Sequence, residues 1–180
     1  MRSRFHMSAN CNVYLIGPMG SGKTAVGRYL ARLLHLDFYD CDAEIERRTG
    51  VDIPYIFEKE GEAGFRERER EVIDALTEMG NLVMATGGGA VLLPHNRERL
   101  SATGQVVYLK TSVEQQLERT RHGRRPLLFN DDPETTLRDL MAVRAPLYES
   151  IAYITVLTDG RHVRAVAEDV LRQLQPANSE

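Results

Sequence analysis

A glycine-rich segment near the N-terminus has the residue types and spacing of a loop that binds phosphate groups. Residues 17–24 read GPMGSGKT and match the pattern GxxxxGK(S/T) between a β-rich run and a helical pattern. In such a loop the backbone N–H groups, the helix N-terminus and the lysine face phosphate oxygens, and the last hydroxyl can bind Mg²⁺. A purely structural glycine turn is the alternative. The residues expected to contact a nucleotide are Gly17, Gly20, Ser21, Gly22, Lys23 and Thr24 of this pattern and the next residue, Ala25.

Two aspartates follow the next β-rich run. A loop of this kind usually works with a metal-orienting aspartate at the end of another strand, yet neither LVMATGGG nor VVYLKTS ends in one. Asp40 and Asp42, in FYDCD, end a short strand, where one can face the metal and the other the acceptor. A helix N-cap is the alternative for one of them. The helical pattern AEIERRTG predicts that Asp42 is this cap.

Three consecutive glycines follow a third apolar run. Each of Gly87, Gly88 and Gly89 costs roughly 1 kcal/mol of backbone entropy relative to alanine, so stability does not explain them. Close approach of the backbone to a ligand would explain these glycines. Ligands of open α/β sheets bind at the carboxyl ends of the strands, and we expect the loop, the aspartates and the glycines to converge there.

The elements that must position these residues alternate along the chain. The β-rich runs lie at 12–16, 38–40, 82–85, 105–109 and 154–157. Stretches long enough for helices separate them, and residues 24–36 have helical apolar spacing. VYLI, LVMA, VVYL and ITVL are nearly continuous apolar runs, as is typical of parallel strands buried on both faces. The sequence therefore predicts an α/β fold with a five-stranded parallel sheet.

Two charged segments remain. Residues 58–71 combine alternating charge with an apolar stripe, which predicts an exposed amphipathic helix. From the charge run alone, Arg66 would be a salt-bridged surface arginine. Residues 119–133 contain glycine, two prolines and four arginines in the first seven positions, which predicts a basic loop.

Length and composition limit the class of protein. The 180 residues favour one domain at 11–175, with a flexible extension at 1–10 and a loose tail at 176–180. The net charge of −3 gives no reason to expect a nucleic acid or an anionic membrane as partner. No apolar run has the length of a membrane span or of a signal peptide. We expect a cytoplasmic monomer that binds small molecules.

Six motifs, in this order, make the chain resemble the shikimate kinase family of P-loop kinases. They are GPMGSGKT, DCD, GFRERE, TGGGAV, RRPLL and RAPLY, and the resemblance covers 12–174. It implies a three-layer α/β/α fold with sheet order 2-3-1-4-5, an acceptor-binding region at about 40–70 and a mobile lid at about 120–132. It also implies phosphorylation of the 3-hydroxyl of shikimate, a step of aromatic amino acid biosynthesis, with ATP as co-substrate and Mg²⁺ as cofactor.

The resemblance further implies which residues do the chemistry. Lys23 and Arg125 would act on the transferring phosphoryl group, with the choice between Arg125 and its neighbour Arg124 open by one position. Asp42 would bind the shikimate hydroxyls, either as general base or as an orienting group. The metal would be held by Thr24 and Asp40.

The remaining implied roles concern binding. Arg66 and Arg144 would grip the shikimate carboxylate, which suits the planar, bidentate guanidinium group. A solvent-exposed surface position is the alternative for both arginines. Residues 87–89 would offer backbone to the substrate, and Arg119 and Arg161 would lie on the adenine side.

Three other interpretations stay open. The chain could be another small-molecule kinase of the same fold, such as a gluconate-type kinase, although the paired arginines and the glycine run favour an anionic ring substrate. It could be a P-loop switch that hydrolyses ATP slowly, but no apolar patch or tail supports this. An inactive paralogue conflicts with the presence of every charged motif residue.

Overall fold

The computed structural model describes residues 11–121 and 132–174, in which strands and helices alternate. The strands are β1 (Val13–Ile16), β2 (Asp37–Asp40), β3 (Leu82–Ala85), β4 (Gln105–Lys110) and β5 (Ile154–Leu157). The helices are α1 (Lys23–Leu34), α2 (Cys41–Thr49), α3 (Ile53–Glu78), α4 (Pro94–Thr103), α5 (Val113–Thr120), α6 (Pro133–Ile151) and α7 (Val163–Leu174), with a 3-10 helix at Ala90–Leu92. The predicted terminal segments at 1–10 and 176–180, and most of the predicted lid with Arg125, lie outside the described residues.

All five strands run parallel in one sheet with the order β2-β3-β1-β4-β5. The central strand β1 pairs with β3 on one side and β4 on the other, with Val13 opposite Val83 and Gln105. Parallel strands need crossover connections, and the helices supply them on both faces of the sheet. The predicted fold class and strand order are confirmed.

Two apolar clusters pack on the two faces of the sheet. On one face, Tyr14, Met84 and Tyr108 pack against side chains of α2, α3, α4 and α6. On the other face, Leu15 and Val107 pack against α1 and α7. Side chains at alternate positions of the same strand thus enter opposite layers, and the fold has the three layers expected.

The strand at the β5 edge differs from the sequence expectation. The run ITVL predicts burial on both faces, but Leu157 is 62% exposed and only Val156 is fully buried. A strand at the sheet edge has a neighbour on one side only, and α7 covers one face of β5. The apolar run therefore predicted a strand correctly without indicating that it lies at an edge.

Two helices run further than their sequence patterns suggest. The charged segment belongs to α3, which is 26 residues long and bends at Gly61, where φ is 68° and ψ is −176°. The RAPLY motif lies within α6 and is helical, although it contains Pro146. Arg144 and Tyr148 are therefore one turn apart on the same face of the helix. Of the helices described, none is both long and apolar enough to cross a lipid bilayer.

A buried asparagine fastens the start of β1 to its neighbours. The Asn12 Nδ2 donates to the Met79 carbonyl at 2.8 Å, and its Oδ1 accepts from the Leu82 amide at 3.3 Å. Its backbone carbonyl accepts from the Gln105 amide at 2.9 Å. The side chain of Asn12 thus ties β1 to the segment that leads into β3, and its backbone ties β1 to β4.

We expect Asn12→Ala to lower the free energy of unfolding by about 2 kcal/mol, because it leaves the buried Leu82 amide without its partner and removes the part-buried bond to the Met79 carbonyl. Denaturant unfolding followed by circular dichroism measures the change. The control Arg164→Ala, on the exposed face of α7, should change it by less than about 0.5 kcal/mol. Equal effects for the two variants would contradict the role given to Asn12.

Candidate active site

The predicted phosphate-binding loop joins β1 to α1 and depends on three glycines with positive φ. Gly17, Gly20 and Gly22 have φ values of 145°, 76° and 87°, where a side chain would be strained. A Cβ on Gly17 would also lie 2.6 Å from the Leu109 carbonyl oxygen. Gly22 is the N-cap of α1 and gives it no side-chain cap. The first N–H groups of α1 are therefore of the kind that bind an anion.

Lys23 lies against this loop. Its Nζ donates to the Gly17 carbonyl at 2.7 Å, to the Pro18 carbonyl at 2.8 Å and to Ser21 Oγ at 3.4 Å. These acceptors are neutral, and an ammonium group forms stronger hydrogen bonds with charged phosphate oxygens. The lysine is thus held at the loop by contacts that a phosphate can replace.

The first aspartate links the loop to β2. The Thr24 hydroxyl donates to Asp40 Oδ2 at 2.5 Å, while Asp40 Oδ1 accepts from the Ala43 amide at 3.1 Å. Asp40 is therefore the N-cap of α2, and the sequence prediction that Asp42 is the cap is wrong. The reason is that β2 ends at Asp40 and α2 begins at the next residue, which places Asp42 inside the first helical turn.

Hydroxyl and carboxylate oxygens are the ligands that Mg²⁺ prefers, and it usually binds one or two protein oxygens together with water and phosphate. The Thr24 and Asp40 pair fits this requirement. Within residues 11–121 and 132–174, no group of three or more His, Cys, Asp or Glu side chains could hold a metal by itself. A metal at this position therefore needs phosphate or water ligands in addition.

Two adjoining cavities open at the carboxyl edge of β1, β2 and β3. The phosphate-side cavity, of about 290 Å³, is lined by the predicted residues Gly20, Gly22, Lys23, Thr24, Ala25 and Asp40. The acceptor cavity, of about 500 Å³, is lined by the predicted residues Asp42, Arg66, Gly87, Gly88, Gly89 and Arg144. The two cavities share Met19, Thr24, Asp40, Asp42, Gly87 and Gly88. The predicted phosphate and acceptor groups therefore meet at one junction.

A third cavity, of about 300 Å³, lies beyond the loop and contains both predicted adenine-side arginines and Ser21. Arg119 donates to the Gly20 carbonyl at 3.0 Å and to the Thr158 carbonyl at 3.2 Å. Arg161 donates to the Leu157 carbonyl at 2.9 Å and to Asp169 Oδ2 at 3.1 Å. The structure thus brings both side chains to one cavity next to the phosphate loop.

The acceptor cavity contains a cluster of buried charges. Arg66 is 9% exposed, Arg144 is 4% exposed and Glu69 is fully buried. Arg66 Nη1 donates to Glu69 Oε2 at 2.8 Å, and Nη2 donates to Glu62 Oε1 at 3.1 Å. The surface position that the charge run alone suggests for Arg66 is therefore wrong, because the C-terminal part of α3 turns this side chain toward the cavity.

The electrostatics of this cluster favour an anion. Burial lowers the pKa of Arg144, and the positive charge of Arg66 lowers it further, yet a guanidinium keeps its proton at neutral pH. Burial raises the pKa of Glu69, and the positive charges of Arg66 and Arg144 act in the opposite direction. Acidic side chains also line this cavity, so the preference for a carboxylate ligand is local to the side on which the guanidinium groups of Arg66 and Arg144 lie.

The glycine run lies against these charged side chains. A Cβ on Gly87 would come 2.4 Å from Glu69 Oε1, and a Cβ on Gly89 would come 2.2 Å from Arg66 Nη2. The hydroxyl of Tyr148 donates to the Gly88 carbonyl at 2.5 Å. The glycines therefore let the backbone approach the charge cluster, and Tyr148 holds the run in place from α6.

Sequence reasoning missed Glu69 and Tyr148. Glu69 lies on the same helical stripe as Phe65 and Val72, four residues after one and three before the other. A carboxylate on an apolar stripe indicates a buried acid, and this signal was present. Tyr148 follows Arg144 by four residues within RAPLY, so the motif itself contained the pair.

Comparisons with known proteins identify the family of this chain. The family model for shikimate kinase matches residues 19–175. The chain belongs to the shikimate kinase family. The shikimate kinase of Alteromonas mediterranea is 53% identical over 93% of this chain and 99% of its own length, and that of Halorhodospira halophila is 55% identical over 94% and 97%. A solved structure, the shikimate kinase from Acinetobacter baumannii in complex with shikimate, matches with a TM-score of 0.89 and 53% identity over 91% of this chain and 92% of that one.

Membership in the shikimate kinase family confirms the assignment that the six motifs suggested. Members of this family are ATP-using kinases of the shikimate route to aromatic amino acids. Identity of this order over nearly the whole chain favours this class over a gluconate-type kinase or a nucleotide switch.

The raised pKa of Glu69 predicts a pH dependence of stability. Above its ordinary value of 4.5, the unfolded chain has released this proton while the folded protein still holds it. Raising the pH above 4.5 therefore lowers the free energy of unfolding. We expect the free energy of unfolding of the wild type, relative to Glu69→Gln, to fall as the pH rises from 4.5 toward neutrality in urea titrations.

Glu67→Gln is the matched control on the same helix. The hydrogen bond from Arg70 lowers the pKa of Glu67, so its contribution has the opposite sign and is lost as the pH falls below 4.5. If the stability of the wild type relative to Glu69→Gln rises with pH, burial does not determine the pKa of Glu69.

Proposed function

We propose that the protein transfers the γ-phosphoryl group of ATP to the 3-hydroxyl of shikimate with the help of Mg²⁺. The observation that carries the proposal is the junction of the two cavities at Asp42 and the glycine run. One cavity has a phosphate-binding loop and the other has two buried arginines. An ATP terminus and a small carboxylic acid bound in them would therefore meet in line.

On the nucleotide side, the N–H groups at the start of α1 bind the phosphates, and Lys23 neutralises charge on the β- and γ-phosphates. Thr24 and Asp40 hold the metal, which when bound would offset phosphate charge. Arg119 and Arg161 border the cavity in which the adenine side of ATP is seated. Arg125 is assigned by the RRPLL motif to neutralise charge on the phosphoryl group in transfer, and it lies outside the described residues, as does most of the predicted lid.

On the acceptor side, the shikimate carboxylate binds between Arg66 and Arg144. The backbone of residues 87–89 approaches the ring, as the absence of side chains there allows. Asp42 accepts a hydrogen bond from the reacting hydroxyl and orients its oxygen toward the γ-phosphorus. Catalysis in this arrangement is mainly positioning and charge neutralisation, as is usual for phosphoryl transfer.

The proposal also includes the setting of the enzyme. The net charge of −3 supports a protein that works without nucleic acid or an anionic membrane surface. We further propose that the protein is a monomer and that it lies in the cytoplasm.

A coupled ADP-release assay with and without shikimate tests the function. We expect turnover that requires both shikimate and Mg²⁺, and its loss in Lys23→Ala, because the charge on the transferring phosphoryl group is then not neutralised. Turnover with gluconate in place of shikimate would favour a gluconate-type kinase. ATP hydrolysis indifferent to shikimate would favour a nucleotide switch.

The carboxylate site makes a second prediction. Arg144→Ala removes a charge-assisted contact of about 2–3 kcal/mol, so we expect shikimate affinity to fall about 30- to 150-fold while ATP affinity stays within about two-fold. Isothermal titration calorimetry measures both. Arg138→Ala, on the exposed face of the same helix, is the control. An unchanged shikimate affinity in Arg144→Ala would contradict the carboxylate assignment.

A further inference from the structure

Helix α3 builds two walls of the acceptor cavity because it is bent. Gly61 divides it into an N-terminal arm, residues 53–60, and a C-terminal arm, residues 62–78. The N-terminal arm lines the cavity with Ile53, Pro54 and Phe57, and the C-terminal arm lines it with Phe65, Arg66 and Glu69. The angle between the arms therefore sets the width of the cavity.

An ion pair joins the two arms across the bend. Arg68 Nε donates to Glu60 Oε2 at 2.8 Å, and Arg68 Nη2 donates to Glu60 Oε1 at 2.6 Å. The two residues are eight positions apart, which in a straight α-helix means about 12 Å along the axis. The bidentate contact is thus specific to the bent arrangement.

Two further contacts belong to the same bend. The rings of Phe57 and Phe65 lie with their centroids 4.8 Å apart. A Cβ on Gly64 would lie 2.4 Å from the Glu60 Cβ, so a glycine at this position lets Glu60 lie against the C-terminal arm. The charged pair, the ring pair and Gly64 therefore all stabilise one angle between the arms.

We propose that the Glu60–Arg68 pair is a positioning device for shikimate binding. It favours the arm angle at which Phe57 and Arg66 face the same ligand, and it touches no substrate itself. Because apparent affinity scales with the population of the binding-competent arrangement, weakening the pair raises the KM for shikimate without changing the chemical step. This inference rests on the proposed function.

The test is Glu60→Gln, assayed by steady-state kinetics and by shikimate titration calorimetry. Each side chain of the pair is about 40% exposed, so the pair contributes as much free energy as a well-formed surface ion pair. We expect the KM and Kd for shikimate to rise about 3- to 5-fold, with kcat and the KM for ATP within about two-fold of the wild type. Arg68→Lys, which keeps the charge without the bidentate geometry, should give an intermediate value.

Glu67→Gln is the matched control. Glu67 and Arg70 form a bidentate ion pair of similar exposure on the same helix, but both residues lie within the C-terminal arm. Removing that pair should leave the KM for shikimate unchanged. If Glu60→Gln and Glu67→Gln have the same KM for shikimate, the inference is overturned while the proposed function stands. A wild type without shikimate-dependent turnover would instead overturn the proposed function.

Gly64→Ala is a second test of the arm angle. Its Cβ would lie 2.4 Å from the Glu60 Cβ, which is not the flexible end of that side chain, so the backbone near the bend must shift and the melting temperature should fall despite the gain in helix propensity. We expect the KM for shikimate to rise at least as much as in Glu60→Gln. An unchanged KM in Gly64→Ala would contradict the proposal.

Discussion

The position of β3 between β2 and β1 is the constraint on which the whole site depends. Parallel strands all end at the same edge of the sheet, and these three end in the glycine run, the aspartates and the phosphate loop. Thr86 reinforces this arrangement at the edge, since its amide and its hydroxyl both donate to the Leu15 carbonyl, at 3.1 and 2.9 Å. Met19 and Gly88, which are 69 residues apart in the sequence, thereby line one junction, where a phosphate donor and an acceptor can meet.

The acceptor cavity holds its charges at a cost in stability. Two guanidinium groups are buried beside one carboxylate, and burying charge is unfavourable unless each group is paired. Within the described residues, the Nε atoms of Arg66 and Arg144 make no hydrogen bond. A ligand carboxylate would supply acceptors for these guanidinium groups. The cluster therefore leaves buried donors without partners, and a bound ligand would supply them. This is expected of a charge cluster that serves binding and not stability.

Sequence reasoning reached the parts of the site that are local in the chain. The phosphate loop, the glycine run and the parallel sheet each have a contiguous pattern, and GPMGSGKT could be placed because a strand and a helix flank it. The helix cap was assigned to Asp42 because a strand that passes directly into a helix leaves no turn signal. The edge position of β5 depends on strand order, which no local pattern contains. The burial of Arg66 depends on how α3 packs beside the cavity, which the charge run alone does not show. Glu69 could have been found from its place on the apolar stripe.

The two sides of the site differ in how they are supported. The phosphate loop is packed directly on the sheet and on α5, with Gly17 against the Leu109 carbonyl and Gly20 against Gln116, and a side chain at either glycine would strain the backbone. The two walls that α3 supplies to the acceptor cavity meet at Gly61, where a Cβ would have open space around it. A phosphate donor must be held in one geometry for in-line transfer, so the rigid support suits the nucleotide side. These two walls instead owe their shape to side-chain pairs across the bend, and small changes in those pairs alter substrate affinity before they alter the chemistry.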